Sequence, residues 1–286
     1  MVTIPRCRFA SLATVSRVSD SRFVMRPAPR ARVAGALPLP PVRRGLALLL
    51  AGSLVGATSS AAQSPWTTVQ QTASWYGTFV DHAVSDRTAL WFDGQWRRMG
   101  VGAEPQQLRL RPGVQVTLTP GVRVAAGYAY IATAPYGEAP IAAPTREHRT
   151  WQQLSLSHRA GPLTVSHRYR WEQRWLASQT STGDALTPFS YQQRARYMVR
   201  GQGPLTNLTW RGRPVLGFVW DELLLPVGHG DPSVRLTQNR IGAGVGLPLD
   251  ARQRVEIGYM NLWNALGGPR VNEVNHTLTL SWVWVR

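Results

Sequence analysis

Polar and apolar residues alternate one by one along stretches of roughly ten residues, and few folds accommodate what stands on the polar side. Between 166 and 175, Ser166, Arg168, Arg170, Glu172 and Arg174 interleave with His167, Tyr169, Trp171, Gln173 and Trp175. Between 107 and 116, Gln107, Arg109, Arg111 and Gln115 interleave with Leu108, Leu110, Val114 and Val116. Successive residues of a strand point to opposite faces, so each stretch has one ionic and one apolar face. An arginine-bearing inner face opposed to an apolar outer one is what a transmembrane β-barrel with a polar lumen needs. The expected fold is therefore all-β, an antiparallel transmembrane barrel.

The pattern places strands at 71–82, 88–98, 106–118, 122–132, 150–160, 163–176, 191–203, 214–225, 238–248, 252–263 and 275–285. A tight turn at Gly161-Pro162 sets Ala160 against Leu163, so Ser157 opposes Ser166, Ser155 opposes Arg168 and Gln153 opposes Arg170. The link Thr119-Pro120-Gly121 likewise keeps faces matched, with glycine free to take the left-handed conformation. Short turns near 85–87, 119–121, 161–162 and 249–251 alternate with long links near 99–105, 133–149, 177–190, 226–237 and 264–274, the asymmetry of short periplasmic turns and longer external loops. By this count 204–213 should be a turn, and it is too long for one. Eleven strands would force the first and last to close in parallel, whereas bacterial single-chain barrels are even. The expectation is thus about twelve strands (ten to twelve), with Pro65 to Gln70 supplying the extra one.

The first 62 residues read as a leader. Arg43 and Arg44 precede an apolar run at 45–57, and Ser60-Ala61-Ala62 offers small residues for cleavage after Ala62. Met25 is an alternative start to Met1. The run is too short to span a bilayer as a helix, and no later segment approaches ~20 apolar residues. The expected domains are the leader, 1–62, and the barrel, 63–286. Of the 32 basic residues, all of them Arg, nine lie in the leader together with one of the 15 acids, so the barrel carries 23 Arg against 14 acids. Export removes nucleic acid as a partner for this positive excess. Cys7 falls in the leader, leaving the barrel without thiol or disulfide chemistry.

Inward positions by this alternation collect Asp93, Arg97, Arg109, Arg111, Arg168, Arg170, Glu172, Arg174, Arg194, Arg196 and Arg200, with Gln95, Arg159, Arg240 and Glu256 beside them. One reading is a narrow anion-preferring pore or a site for a small anionic solute. The other, preferred, is a lumen filled by arginine, carboxylate and glutamine networks that satisfy one another. Ser157-His158 and Ser166-His167 are neighbours on strands and point apart, so neither pair forms a dyad. Glu147 and His148, and His229-Gly230-Asp231, fall in expected loops as weak candidates for acid–base or metal chemistry. Each lacks a third partner at a suggestive spacing, and no metal or cofactor is expected. Gly242-Ala243-Gly244-Val245-Gly246 lies inside a strand and reads as small inward residues making room rather than as a phosphate loop. Trp75, Tyr76, Trp91, Trp96, Trp151, Trp171, Trp175, Trp220, Trp263, Trp282 and Trp284 read mostly as belts at the headgroup boundary.

The last strand, NHTLTLSWVWVR, resembles the C-terminal assembly signal of outer-membrane proteins and departs from it in ending on Arg286. This resemblance implies the barrel-assembly machinery as a partner. Over nearly its whole mature length the chain also resembles the uncharacterised bacterial family DUF2490. The stretches that carry the resemblance are SWYGTFVDHAVSDR (74–87), FDGQWRR (92–98), QQLRLRPGV (106–114), AGYAYIATAPYG (126–137), EHRTWQQL (147–154), SHRYRWEQRW (166–175), DE (221–222), QNRIGAGVG (238–246) and GYMN (258–261). It implies an outer-membrane barrel and brings no activity or catalytic residue. The expectation is an outer-membrane barrel of a Gram-negative envelope, porin-like in fold, in contact with lipid and lipopolysaccharide, with a structural, receptor-like or narrow-pore role. The alternatives are a lipid- or lipopolysaccharide-modifying enzyme and a soluble periplasmic β-protein.

Overall fold

A computed structural model describes residues 66–138, 143–180, 185–228, 236–266 and 270–286. The expected leader, its cleavage point and His229-Gly230-Asp231 lie outside these residues. The described residues form eleven strands: β1 (Thr67–Ala83), β2 (Thr88–Met99), β3 (Glu104–Thr119), β4 (Val122–Thr133), β5 (Thr145–Ala160), β6 (Leu163–Ser178), β7 (Ser190–Trp210), β8 (Arg213–Val227), β9 (Gln238–Pro248), β10 (Gln253–Leu266) and β11 (Val271–Val285). Neighbours in sequence pair antiparallel, and β1 pairs with β11 in parallel to close the barrel.

Eleven strands fall within the expected ten to twelve, and among the described residues there is no separate twelfth strand before β1. Thr67 to Gln70 extend β1, whose register with β11 runs unbroken from Thr67↔Val271 to Asp81↔Val285. The seam continues past both strands, where Thr67 N–H donates to Arg270 O at 3.1 Å and Arg286 N–H donates to Asp81 O at 2.9 Å. A parallel pair satisfies its backbone groups as an antiparallel one does, so an odd count leaves no open edge and parity is not a condition of closure.

The register between β5 and β6 is the expected one, with Ala160↔Leu163, Ser157↔Ser166, Ser155↔Arg168 and Gln153↔Arg170. Gly161 takes a positive φ of 62°, which only glycine adopts at little cost, and Pro162 supplies the fixed negative φ after it. The overlong 204–213 link resolves into strand. β7 and β8 extend to a two-residue turn at Arg211-Gly212, with φ of 52° and 71°, after an irregularity between Pro204 and Thr209. Positive φ at both positions matches the right-handed twist of a tight hairpin. At the β9–β10 turn, backbone N–H groups of Arg252 and Gln253 donate to Asp250 and hold its carboxyl below the usual carboxylate range.

The barrel therefore has a short-turn end and an opposite end that carries the long links, although the β2–β3 link there, expected to be long at 99–105, is only 100–103, no longer than the turns at 84–87 and 249–252. Its apolar residues face outward, where Leu90, Leu110, Val114, Val219, Ile257 and Leu280 are all exposed. Polar side chains and large aromatics share the interior. Trp151 is fully buried across β4, where a Cβ on Gly127 would come within 2.6 Å of its ring and one on Gly113 within 2.5 Å. The glycine row of β9 does the same for its neighbour: Gly242 pairs with Trp220 and Gly244 with Phe218, and a Cβ on either glycine would meet those rings within 2.7 Å. Glycines thus set where bulky rings can lie inside.

Candidate anion-binding lumen

Alternation on β2, β3, β6 and β7 turns all eleven expected lumen residues to the same interior, and β5, β8 and β9 contribute more. Glu172 on β6, with no exposed surface, accepts from Arg149 at 3.0 Å, from Arg194 at 2.7 and 3.0 Å and from Arg196 at 2.8 Å. Glu222 on β8 accepts from Arg168 at 2.7 Å, from Arg196 at 2.7 and 3.1 Å and from Arg240 at 3.3 Å. Arg196 thereby joins the two carboxylates. Asp93 on β2 accepts from Arg111 on β3 and has Arg109 at 3.6 Å. Toward the short-turn end, Glu256 accepts from Arg200 and Arg254, each at 2.8 Å, and Asp81 accepts from Arg123 at 3.1 Å. Exposed Arg159 is the second-to-last residue of β5 at that end.

Several of these contacts are chords across the bore. Arg200 on β7 reaches Glu256 on β10, and Arg111 on β3 lies 4.0 Å from Glu172 on β6. Arg170 donates to Gln153 and lies over both Trp91 and Trp151, 5.4 and 4.6 Å from their ring centroids. Charge-assisted bonds in a dry interior are strong, and each buried guanidinium needs an acceptor or a ring face to offset its lost hydration. Middle and short-turn levels of the lumen are filled this way.

At the long-link end the filling stops and a cavity of about 440 Å³ opens. Trp75 on β1 forms part of its wall. Arg97 lies flat on the Trp75 ring, 3.5 Å from its centroid, and Arg240 approaches the same ring at 5.3 Å. The indole N–H of Trp75 donates to Gln106 at 2.9 Å. Gln106 is the extra residue where the β2–β3 register shifts, since Arg97 pairs with Gln107 and Arg98 with Pro105. The bulge turns it inward beside Gln107, as such irregularities commonly re-aim a side chain. Arg97 donates to Gln95 at 2.7 Å and to Gln107 at 2.8 Å.

Glu147 and His148 lie in β5, not in a loop, and so point to opposite faces. Glu147 enters the lumen and accepts from Arg149 at 2.7 Å and Arg174 at 2.6 Å. His148 faces outward, where its Nδ1 meets Tyr128 Oη and its ring packs edge-on against Phe189. They cannot act together as acid and base. Trp75, Trp91, Trp151 and Trp220 also depart from the expected belts and point inward. Arg149, Glu222 and Glu273 escaped sequence reading. Glu273 takes hydrogen bonds from Gln71, Asn264 and Asn275 at 2.6, 3.0 and 2.9 Å. Among the described residues no cluster of His, Cys, Asp and Glu fits a metal ion.

Fold and interior together define a small closed β-barrel packed with arginine–carboxylate networks and open to a basic cavity at one end. The chain belongs to the family described as Protein of unknown function (DUF2490), which it matches over residues 72–273. It is similar to an uncharacterized protein of Methylorubrum extorquens, 28% identical over 239 residues that cover 82% of this chain and 95% of the relative. No solved structure matches the chain.

Proposed function

We propose that the protein is an outer-membrane barrel whose lumen is closed to ion flow, with a structural or receptor-like role. The observation that carries this reading is the inversion of its two faces: ion pairs inside, large apolar side chains exposed outside. A water-soluble barrel would bury the latter. Paired His and Tyr side chains bound the outer apolar zone. His148, hydrogen-bonded to Tyr128, and His276, hydrogen-bonded to Tyr259, stand toward the long links, and His167, hydrogen-bonded to Tyr197, stands toward the short turns, with the tyrosines nearer mid-strand and the last two pairs at 2.7 and 2.9 Å. Amphipathic rings favour such positions at a membrane interface. On β5, His148 and His158 are ten residues apart. At ~3.3 Å per residue and a tilt near 40°, that separation is about 25 Å along the barrel axis, the height of an outer-membrane apolar band.

The chords across the bore support a closed barrel rather than a pore. The test combines fractionation with planar-bilayer recording of the refolded protein. Recovery in the outer-membrane fraction, heat-modifiable gel migration and no steady conductance are expected. Recovery as a soluble periplasmic protein overturns the membrane reading, and steady ohmic conductance overturns the closed lumen.

A further inference from the structure

We propose that the cavity at the long-link end binds a small organic anion bearing phosphate or carboxylate groups, about the size of a sugar phosphate. The charge balance of its wall is the first ground. Arg97 contacts two glutamines and the Trp75 ring, and among the described residues no carboxylate lies within ion-pair distance of it. Among the described residues Arg109 has only Asp93, which Arg111 already occupies. Arg240 shares Glu222 with Arg168 and Arg196. The interior therefore holds more guanidinium than carboxylate, and Arg97, Arg109 and Arg240 carry part of that excess to the cavity wall, where Glu147 is already engaged by Arg149 and Arg174.

The second ground is unfilled donor capacity. Arg97, Arg109 and Arg240 are 5%, 4% and 7% exposed, and the Nε atoms of Arg109 and Arg240 are buried with no hydrogen-bond partner among the described residues. A buried N–H without an acceptor is costly, so an oxyanion reaching these guanidiniums gains more than it would at the surface. Arginine forks match the paired oxygens of phosphate and carboxylate. The third ground is size and lining. About 440 Å³ falls within the range of small-molecule sites and exceeds what a bare ion needs. Amide side chains at Gln192 and Asn264 offer donors and acceptors for hydroxyl groups on the same ligand. The rigid seat of Arg97 on Trp75 holds one guanidinium in place before any ligand arrives.

This inference concerns the folded barrel wherever it resides, so its failure is separate from failure of the membrane reading. Calorimetric titration of the detergent-folded full-length barrel with glucose 6-phosphate, citrate, inorganic phosphate and glucose tests it. Glucose 6-phosphate or citrate is expected to saturate one site, more weakly as salt rises, while glucose does not bind. Arg97→Gln and Arg109→Gln should each weaken binding at least tenfold. Arg254→Gln, at the opposite end, should leave it unchanged. Arg97→Lys keeps the charge and loses the fork, and should weaken binding severalfold with heat-modifiable migration intact. No saturable binding by the folded wild type, equal binding of glucose, or wild-type affinity in folded Arg97→Gln and Arg97→Lys each overturns the proposal.

Discussion

Arg168 on β6 reaches past β7 to place its Nη2 2.7 Å from Glu222 on β8. Three strands are thereby tied through one carboxylate, because Arg196 on the intervening β7 donates to the same oxygen. Removing that carboxylate leaves buried guanidiniums without compensation, whereas removing one arginine leaves Glu222 two others. Glu222→Gln should thus destabilise the barrel by roughly 3–5 kcal/mol, the usual cost of breaking a buried ion pair from one side. Arg168→Met should cost distinctly less. Urea unfolding in detergent, followed by tryptophan fluorescence, checks the order. Equal losses for the two variants would show that the network does not hinge on the shared acid.

Glu172 invites a companion measurement because Arg194 contacts it through both Nε and Nη2, at 3.0 and 2.7 Å. Groups in one ionic network do not contribute additively. The double variant Glu172→Gln with Arg194→Gln should be more stable than the sum of the two single losses predicts. A coupling energy of roughly 1–3 kcal/mol in the same unfolding assay is expected. Strict additivity would mean that the pair is not coupled.

Ring placement depends on glycines, and the two classes of glycine separate cleanly. A Cβ on Gly127 would meet Pro112 O at 2.3 Å and the Trp151 ring at 2.6 Å, with backbone on one side and a fully buried indole on the other. A Cβ on Gly201 would meet nothing closer than Val219 at 3.9 Å. Gly127→Ala should cost about 1–3 kcal/mol through overpacking, and Gly201→Ala should be close to neutral. Thermal loss of heat-modifiable migration compares them, and a neutral Gly127→Ala would argue that Trp151 does not sit over that strand.

Much of this was legible because period two is strict within each strand. The register of β5 on β6 followed from one Gly-Pro turn, and the eleven lumen residues followed from counting by twos. The same count reaches further than the sequence reading took it. From inward Gln153 it leads back through Trp151 and Arg149 to Glu147, and from Asp93 to Trp91. These positions were hidden by starting β5 at 150 instead of Thr145, and by assigning tryptophan to a boundary before asking which face it occupied. Other features have no local signal. The bulge at Gln106 breaks the period, Glu222 stands beside Asp221 with nothing to tell inward from outward, and strand parity is a property of closure rather than of any segment. The cavity arises only where side chains from many strands fail to meet.

An odd number of strands has a topological consequence. β1 and β11 both run from the long-link end to the short-turn end, so Thr67 and Arg286 lie at opposite ends of the barrel. In a membrane they fall on opposite sides. An epitope inserted ahead of Trp66 should share protease accessibility in intact cells with one inserted at Glu138. An epitope after Arg286 should share that of one inserted at Gly161. Both terminal epitopes reporting the same side would restore an even count.

The outward face gives the sharpest separation between a barrel in lipid and one in water. Leu110 sits midway along β3, exposed and opposite Gly94 and Tyr130 on its neighbours, with Leu108 beyond it on the same face. In water an arginine there would replace exposed apolar surface with a hydrated charge and leave the barrel as stable or slightly more so. In a bilayer the same charge meets hydrocarbon near the midplane, at a cost of about 2–4 kcal/mol, falling to roughly 0–1 near the interfaces. Leu110→Arg should therefore lower stability in phosphocholine vesicles, and Leu118→Arg, beside the short turn to β4, should lower it much less. Unfolding titrations of the refolded variants in vesicles measure both. If Leu110→Arg costs no more than Leu118→Arg, the apolar outer face is not a lipid-spanning one, and the case for a membrane barrel loses its main support.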